Sequence, residues 1–274
     1  MPRSHEPNTD PTTDEALNGV LRELIAGARE ALGENFVAAY LQGSFAVGDW
    51  DVDSDVDFLI ATERDPSPAE EAALNAMHHR LYRLSPHWAQ HLEGSYIPRD
   101  ILRRVGPSRR SLLFLDNTSD RLERSKHDDT AIVRWVTRER GVTLAGPPPT
   151  ALIAPVSADE LRHEVRQTMR EWARQIRAQR YSLANQWAQP FVVLSYCRML
   201  QTLATGRVES KRAGAEWAQR TLDARWADLI RRAWEARPNP SLKVHTPADP
   251  ADQQATLAFI QYALEQGGAQ SAGG

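Results

Sequence analysis

A chain of 274 residues with 33 basic and 36 acidic side chains, formal charge −3, is long enough for one large or two modest cores. Its near-neutral charge gives nucleic acid no global electrostatic attraction. The single cysteine, Cys197, excludes an internal disulfide and a cysteine-based zinc site, and neither the polar start, Met1 to Asp14, nor any later run reads as a signal peptide or a membrane span, so a cytoplasmic protein is expected.

Residues 1–13 are polar and expected to be disordered. From about Asp14 to Leu32 the spacing of Leu17, Leu21, Leu24 and Ala28 predicts a helix, stopped by Gly33. Phe36 to Gln42 reads as a strand that delivers the chain to a small-residue turn, Gly43-Ser44. The apolar strand Val56 to Ala61 follows, introduced by Ser54-Asp55-Val56-Asp57. Alternation along a strand sends Asp55 and Asp57 to one face and Val56 and Phe58 to the other. Two carboxylates about 7 Å apart on a strand suit hard divalent cations. Gly43 allows the backbone close to a phosphate, and Ser44 adds a hydroxyl and an N–H. A calcium loop starting at Asp51 is excluded, because its sixth position is Val56 and its twelfth Thr62. No dinucleotide or P-loop glycine pattern is present.

Ser67-Pro68-Ala69-Glu70 is a helix start with a serine cap, and Leu74, Met77, Leu81 and Leu84 are expected inward. Gln90 to Pro98 reads as a third strand with His91, Glu93 and Ser95 on one face. Arg99, Arg103, Arg104, Arg109 and Arg110 form the one dense basic cluster, read either as a solvated surface or as a contact to an anion. Leu112 to Leu115 is a strand ending at the Asp116-Asn117 turn, and Asp128 to Arg140 a helix closed by Gly141. Gly146-Pro147-Pro148-Pro149 interrupts regular structure, which places a domain boundary between residues 154 and 155.

Beyond Ser157 the pattern is helical throughout. Leu161, Val165, Met169, Trp172 and Ile176 mark a long amphipathic helix. A second, from about Pro190 to Thr205, is apolar almost all round and belongs in the middle of a bundle, yet carries Arg198, which needs an anion from a carboxylate or a ligand. Ser210 caps a helix opening on Lys211, where charge and helix terminus would point at one anion. Leu222 to Ala236 and Pro250 to Leu264 complete a domain over 155–266, with 267–274 expected as a flexible tail.

The run from Gly43-Ser44 to Asp55-Val56-Asp57 resembles the nucleotidyltransferase superfamily of the DNA polymerase β type. More narrowly, it is similar to the aminoglycoside adenylyltransferases that modify streptomycin and spectinomycin, as is Leu194 to Lys211 continuing into Ala215-Glu216-Trp217-Ala218. The resemblance implies an α+β fold. Its N-terminal nucleotidyltransferase domain, over 14–154, would have a small mixed sheet, and its C-terminal domain would be an all-α bundle. It implies that Gly43, Ser44 and Ser54 hold the triphosphate of ATP, and that Asp55, Asp57 and Glu93 hold two magnesium ions. Glu93, in the local pair Leu92-Glu93, would also be the general base. Arg198 and Lys211, thirteen residues apart, match the family's phosphate ligands.

The family's streptomycin enzymes carry acidic drug-binding residues just before the central arginine. Here Ala184-Asn185-Gln186-Trp187-Ala188-Gln189 has no carboxylate, and Trp187 and Gln189 are the candidate acceptor contacts. The expected activity is AMP transfer from ATP to a hydroxyl of a small, cationic molecule of the aminoglycoside antibiotic type, releasing pyrophosphate, by a monomer with no membrane or nucleic-acid partner. The alternatives are a protein or RNA acceptor, or a non-catalytic, antitoxin-like nucleotide binder.

Overall fold

The computed structural model describes residues 10–269 except 105, 107–109, 238 and 239. These residues fall into two compact units split between Pro155 and Val156, with Asp51–Asp53 grouped with the second. Among the described residues no helix is long and apolar enough to cross a membrane.

In the first unit the chain runs α1 (Glu15–Leu32), β1 (Phe36–Leu41), α2 (Gly43–Val47), β2 (Val56–Thr62), α3 (Pro68–Leu81), β3 (Leu92–Pro98), α4 (Arg99–Leu102), β4 (Leu112–Leu115), β5 (Leu122–Ser125), α5 (Ala131–Arg140), β6 (Val142–Ala145) and α6 (Pro149–Leu152). The six strands form one sheet in the order β5-β4-β3-β2-β1-β6, antiparallel except for the β2–β3 pair. That single parallel contact requires a crossover, supplied by α3. The start of α3 has the reciprocal Ser67–Glu70 capping box written in its sequence.

Alternation divides the sheet into two unequal faces. Leu41, Val56, Phe58, Ile60, Leu92, Tyr96, Leu113 and Leu115 point to a large core completed by Leu17, Leu21 and Leu24 of α1 and Leu74 and Met77 of α3. The opposite face is apolar at one end only, where Ala38, Tyr40, Leu59, Ala61, Ile97 and Leu112 pack with Ile101, Leu102, Leu152 and Ile153. At its other end, the N-terminal ends of β2 and β3, the same alternation brings out Asp57 and Glu93.

Three boundaries depart from expectation. Gly43-Ser44 is the first turn of α2 rather than an open turn. His87–Gln90 is a 3-10 turn and β3 begins at Leu92, so His91 precedes the strand and is not on its face with Glu93 and Ser95. Two short strands, β5 and β6, were missed. Leu122–Ser125 has one apolar residue because it is an edge strand, and Val142–Ala145 follows α5 after a single glycine.

Inside the large core His78 is 1% exposed, its Nε2 meets the Tyr96 hydroxyl at 2.7 Å, and its ring stacks near Phe58. Burial drives the imidazole down to about 3, so the folded protein keeps it neutral while the unfolded chain binds a proton below about pH 6.5. The stability this confers is complete above pH 6.5 and is lost as pH falls. At pH 5 we expect an unfolding free energy about 2 kcal/mol lower on this account than at pH 7.5. Urea titrations of wild type and His78→Phe at the two pH values check it, since the variant should lose that much less.

The second unit is helical: α7 (Ala158–Arg177), α8 (Ala188–Thr205), α9 (Lys211–Thr221), α10 (Ala227–Glu235), α11 (Pro240–Lys243) and α12 (Pro250–Ala269). Helix α8 is buried on nearly every side, as its composition requires. The expected Leu222–Ala236 helix is instead a 3-10 turn, Ala224–Trp226, followed by α10. Gly267 to Ala269, expected in a flexible tail, lie in α12. Gly267 is buried there, and a side-chain carbon on it would sit 3.2 Å from a Leu203 methyl, so the glycine serves close packing.

Candidate active site

The site is assembled where β1 turns into α2 and where β2 and β3 begin. The Gln42 N–H donates to the Asp57 carbonyl at 2.8 Å, and Thr137 Oγ1 of α5 donates to Gln42 Oε1 at 3.0 Å. These bonds seat Gly43 directly against Asp57. Gly43 has φ +60°, and a Cβ placed on it would lie 2.5 Å from Asp57 Cγ, so both conformation and space call for glycine. Phe45, Trp50 and Trp88 pack as a three-ring cluster under the turn, with ring centroids 4.9 to 6.0 Å apart. The Trp88 indole N–H donates to Asp14 Oδ2 at 3.0 Å, tying the cluster to the cap of α1. The Ser44 hydroxyl oxygen is buried and has no hydrogen-bond partner among the described residues. An unsatisfied buried hydroxyl is unfavourable unless a ligand completes it.

Asp57 and Glu93 are register partners on the parallel strands, so their side chains leave the same face side by side. Asp55 precedes β2, and its Oδ1 accepts from the Asn117 side-chain amide. Burial, followed by the charges of Asp57, Asp55, Asp128 and Asp116, pushes the Glu93 carboxyl up to about 9. Asp128 is 7% exposed, accepts from Ser95 Oγ at 2.7 Å, and is itself raised by burial. His127 stacks on Phe114, and its Nε2 lies 3.6 Å from Glu93 Oε1.

Asp55, Asp57 and Glu93 offer only carboxylate oxygens, the donors that hard divalent cations take, and the repulsion recorded at Glu93 is what such a cation would relieve. Donor chemistry and charge therefore fit. As they stand, no three acidic, histidine or cysteine side chains among the described residues are arranged so that they could hold a metal ion. Ser54 is buried at the entry to β2.

Asn117 and Asp128 are site neighbours that sequence reading did not single out, whereas it places Ser95 on the face of Glu93. Asn117 had no signal beyond being a turn residue, and Asp128 was read as the opening of a helix that begins at Ala131.

In the second unit Arg198 is half-buried on α8, and α9 approaches it closely through Gly214, where an added Cβ would sit 2.8 Å from Arg198 Cα. Lys211, the first residue of α9, holds its ammonium 5.0 Å from the Phe191 ring centroid. Trp187 is 37% exposed and stacks on Phe191. Gln189 is 5% exposed, and its amide donates to Thr256 Oγ1 at 2.7 Å, joining α8 to α12.

The basic cluster divides. Arg99 pairs with Glu63, and Arg110 with Asp65 at 3.3 Å and Asp100 at 3.2 Å. Arg103 and Arg104 are exposed, and Arg109 lies outside the described residues.

Residues 25–113 match the family model of the nucleotidyltransferase domain, and residues 151–265 that of the aminoglycoside adenylyltransferase C-terminal domain. Among relatives, the spectinomycin 9-adenylyltransferase of Staphylococcus aureus is 25% identical over 202 residues, covering 69% of this chain and 73% of that protein. The aminoglycoside (3'')(9) adenylyltransferase of Klebsiella pneumoniae is 25% identical over 255 residues, covering 88% of this chain and 91% of the relative. The crystal structure of spectinomycin adenyltransferase AAD(9) from Enterococcus faecialis with ATP and spectinomycin shares the fold, with a TM-score of 0.66 and 13% identity. The match covers 91% of this chain and 98% of that one. Two domain models thus match the chain in order, a nucleotidyltransferase domain followed by an aminoglycoside adenylyltransferase C-terminal domain, and the chain is an enzyme of the nucleotidyltransferase kind.

Proposed function

We propose that this enzyme transfers AMP from ATP to a hydroxyl of an aminoglycoside-type antibiotic and releases pyrophosphate. Spectinomycin is the first acceptor to test. The observation that carries the reading is the Asp57–Glu93 register pair beneath Gly43, beside a buried Ser44 hydroxyl that no described protein group satisfies. The named relatives and the ATP- and spectinomycin-bound fold neighbour support the choice of nucleotide and acceptor class.

Asp55, Asp57 and Glu93 would hold magnesium, which when bound would neutralise charge on the triphosphate and on the pyrophosphate leaving group. Glu93 takes the proton from the acceptor hydroxyl as that oxygen attacks the α-phosphorus and the bond to pyrophosphate breaks. Gly43 brings backbone against the phosphates, and Ser44 donates its hydroxyl to them. Arg198 and Lys211 are proposed as further phosphate ligands on the strength of their sequence spacing. Trp187, partly exposed in a segment without carboxylates, is proposed as an acceptor contact.

The test is direct. Purified protein is incubated with ATP, Mg2+ and, separately, spectinomycin, streptomycin and other aminoglycosides, following pyrophosphate release and product mass. One AMP added per acceptor, with equimolar pyrophosphate, is expected for at least one drug. Silence across the panel would overturn the acceptor class.

A further inference from the structure

The turn between β4 and β5 is built more tightly than a connector needs to be. Asn117 and Thr118 occupy its tip. Thr118 has φ +64°, a left-handed conformation that a β-branched residue rarely takes, and its N–H donates to the Gln90 carbonyl at 3.1 Å. The Asn117 N–H donates to Asp116 Oδ1 at 3.1 Å, and the Ser119 N–H to the Asp116 carbonyl at 3.0 Å. Strain held in place by several bonds points to a role for what the turn presents. What it presents is the Asn117 side chain.

That side chain is engaged at both ends. Its amide nitrogen donates to Asp55 Oδ1, and its Oδ1 lies 3.2 Å from His91 Nδ1. An amide oxygen only accepts, so His91 carries its proton on Nδ1 in this arrangement. His91 is in turn placed by the 3-10 turn His87–Gln90, where its N–H donates to the Trp88 carbonyl at 3.1 Å. A relay thus runs His91 to Asn117 to Asp55, all within the first unit.

We propose that Asn117, held by His91, is the positioning residue for Asp55. It fixes one carboxylate oxygen and with it the orientation in which the Asp55 carboxylate would meet a divalent cation. This rests on the reading of Asp55 as a cation ligand. Partners of a ligand that set its orientation typically change metal affinity 10- to 100-fold when removed.

The experiment measures Mn2+ binding to the full chain from the electron paramagnetic resonance signal of free Mn2+, with thermal unfolding recorded alongside. Wild type, Asn117→Ala, His91→Leu, His91→Asn and Asp55→Asn are compared. Asn117→Ala is expected to weaken Mn2+ binding by roughly 10-fold or more, and His91→Leu by several-fold. His91→Asn, whose amide nitrogen takes the place of Nδ1 and keeps an N–H donor for Asn117 Oδ1, should recover most of the affinity, a rescue that a purely structural role would not produce. Should Asn117→Ala fail to fold, the His91 pair carries the test from the other end of the relay. Wild-type Mn2+ affinity in Asn117→Ala and His91→Leu, with Asp55→Asn defective, overturns the positioning role and leaves the cation site standing. Unchanged affinity in Asp55→Asn as well, or no binding by wild type, removes the cation-site reading and this proposal together.

Discussion

Replacing Glu93 by glutamine should lower the rate of AMP transfer by roughly 10²- to 10⁴-fold while ATP still binds with near-normal affinity by calorimetry. The substitution keeps the size and one oxygen of the side chain but removes its ability to accept a proton. It also removes a carboxylate from a neighbourhood shared with Asp57, Asp55, Asp128 and Asp116, so the protein should be no less stable. Loss of rate without loss of nucleotide or of stability is the signature of a base. If the variant transfers AMP at the wild-type rate, Glu93 is not the group that receives the proton. If nucleotide affinity collapses together with the rate, its main contribution is to binding.

The second large effect is expected at Gly43→Ala. A residue with a side chain at φ +60° costs about 1–2 kcal/mol, which urea unfolding should register. The greater consequence is local. The new methyl would fall 2.5 Å from Asp57 Cγ, so either the Asp57 carboxylate or the turn has to move. A displacement of about an ångström at a reacting centre costs on the order of 10²-fold in rate, and turnover should fall by that much or more. The contrast between a mild stability change and a severe activity change is the measurement of interest. Near-normal turnover would show that Gly43 and Asp57 are not in contact in the working site.

How much of this could be read in advance follows from how local each feature is. Asp55 and Asp57 announce themselves because two carboxylates at a two-residue spacing where an apolar strand begins are a local pattern. The α1 face, the Ser67 capping box and the almost wholly apolar α8 were legible for the same reason. Glu93 was different. One acid on a strand carries no message by itself, and its pairing with Asp57 is a register decision made across the sheet, visible beforehand only through family resemblance. Asn117 and Asp128 were opaque because turns and helix approaches are full of such residues for reasons of backbone hydrogen bonding alone. Gln189 sits where an apolar helix begins, and its Thr256 partner is far away in sequence, so its internal bond had no local trace. β5 escaped because an edge strand with one covered side needs little hydrophobicity.

The lone parallel pair in the sheet has a consequence for how the enzyme comes into being. A hairpin could have joined two acids almost as soon as the chain left the ribosome, but strands running in the same direction cannot be zipped from a tight turn. Asp57 and Glu93 become neighbours only after the whole of α3 has folded back over the sheet. The two acids therefore cannot meet before that crossover is closed. A ligand that grips both carboxylates favours the finished topology over every partly threaded one.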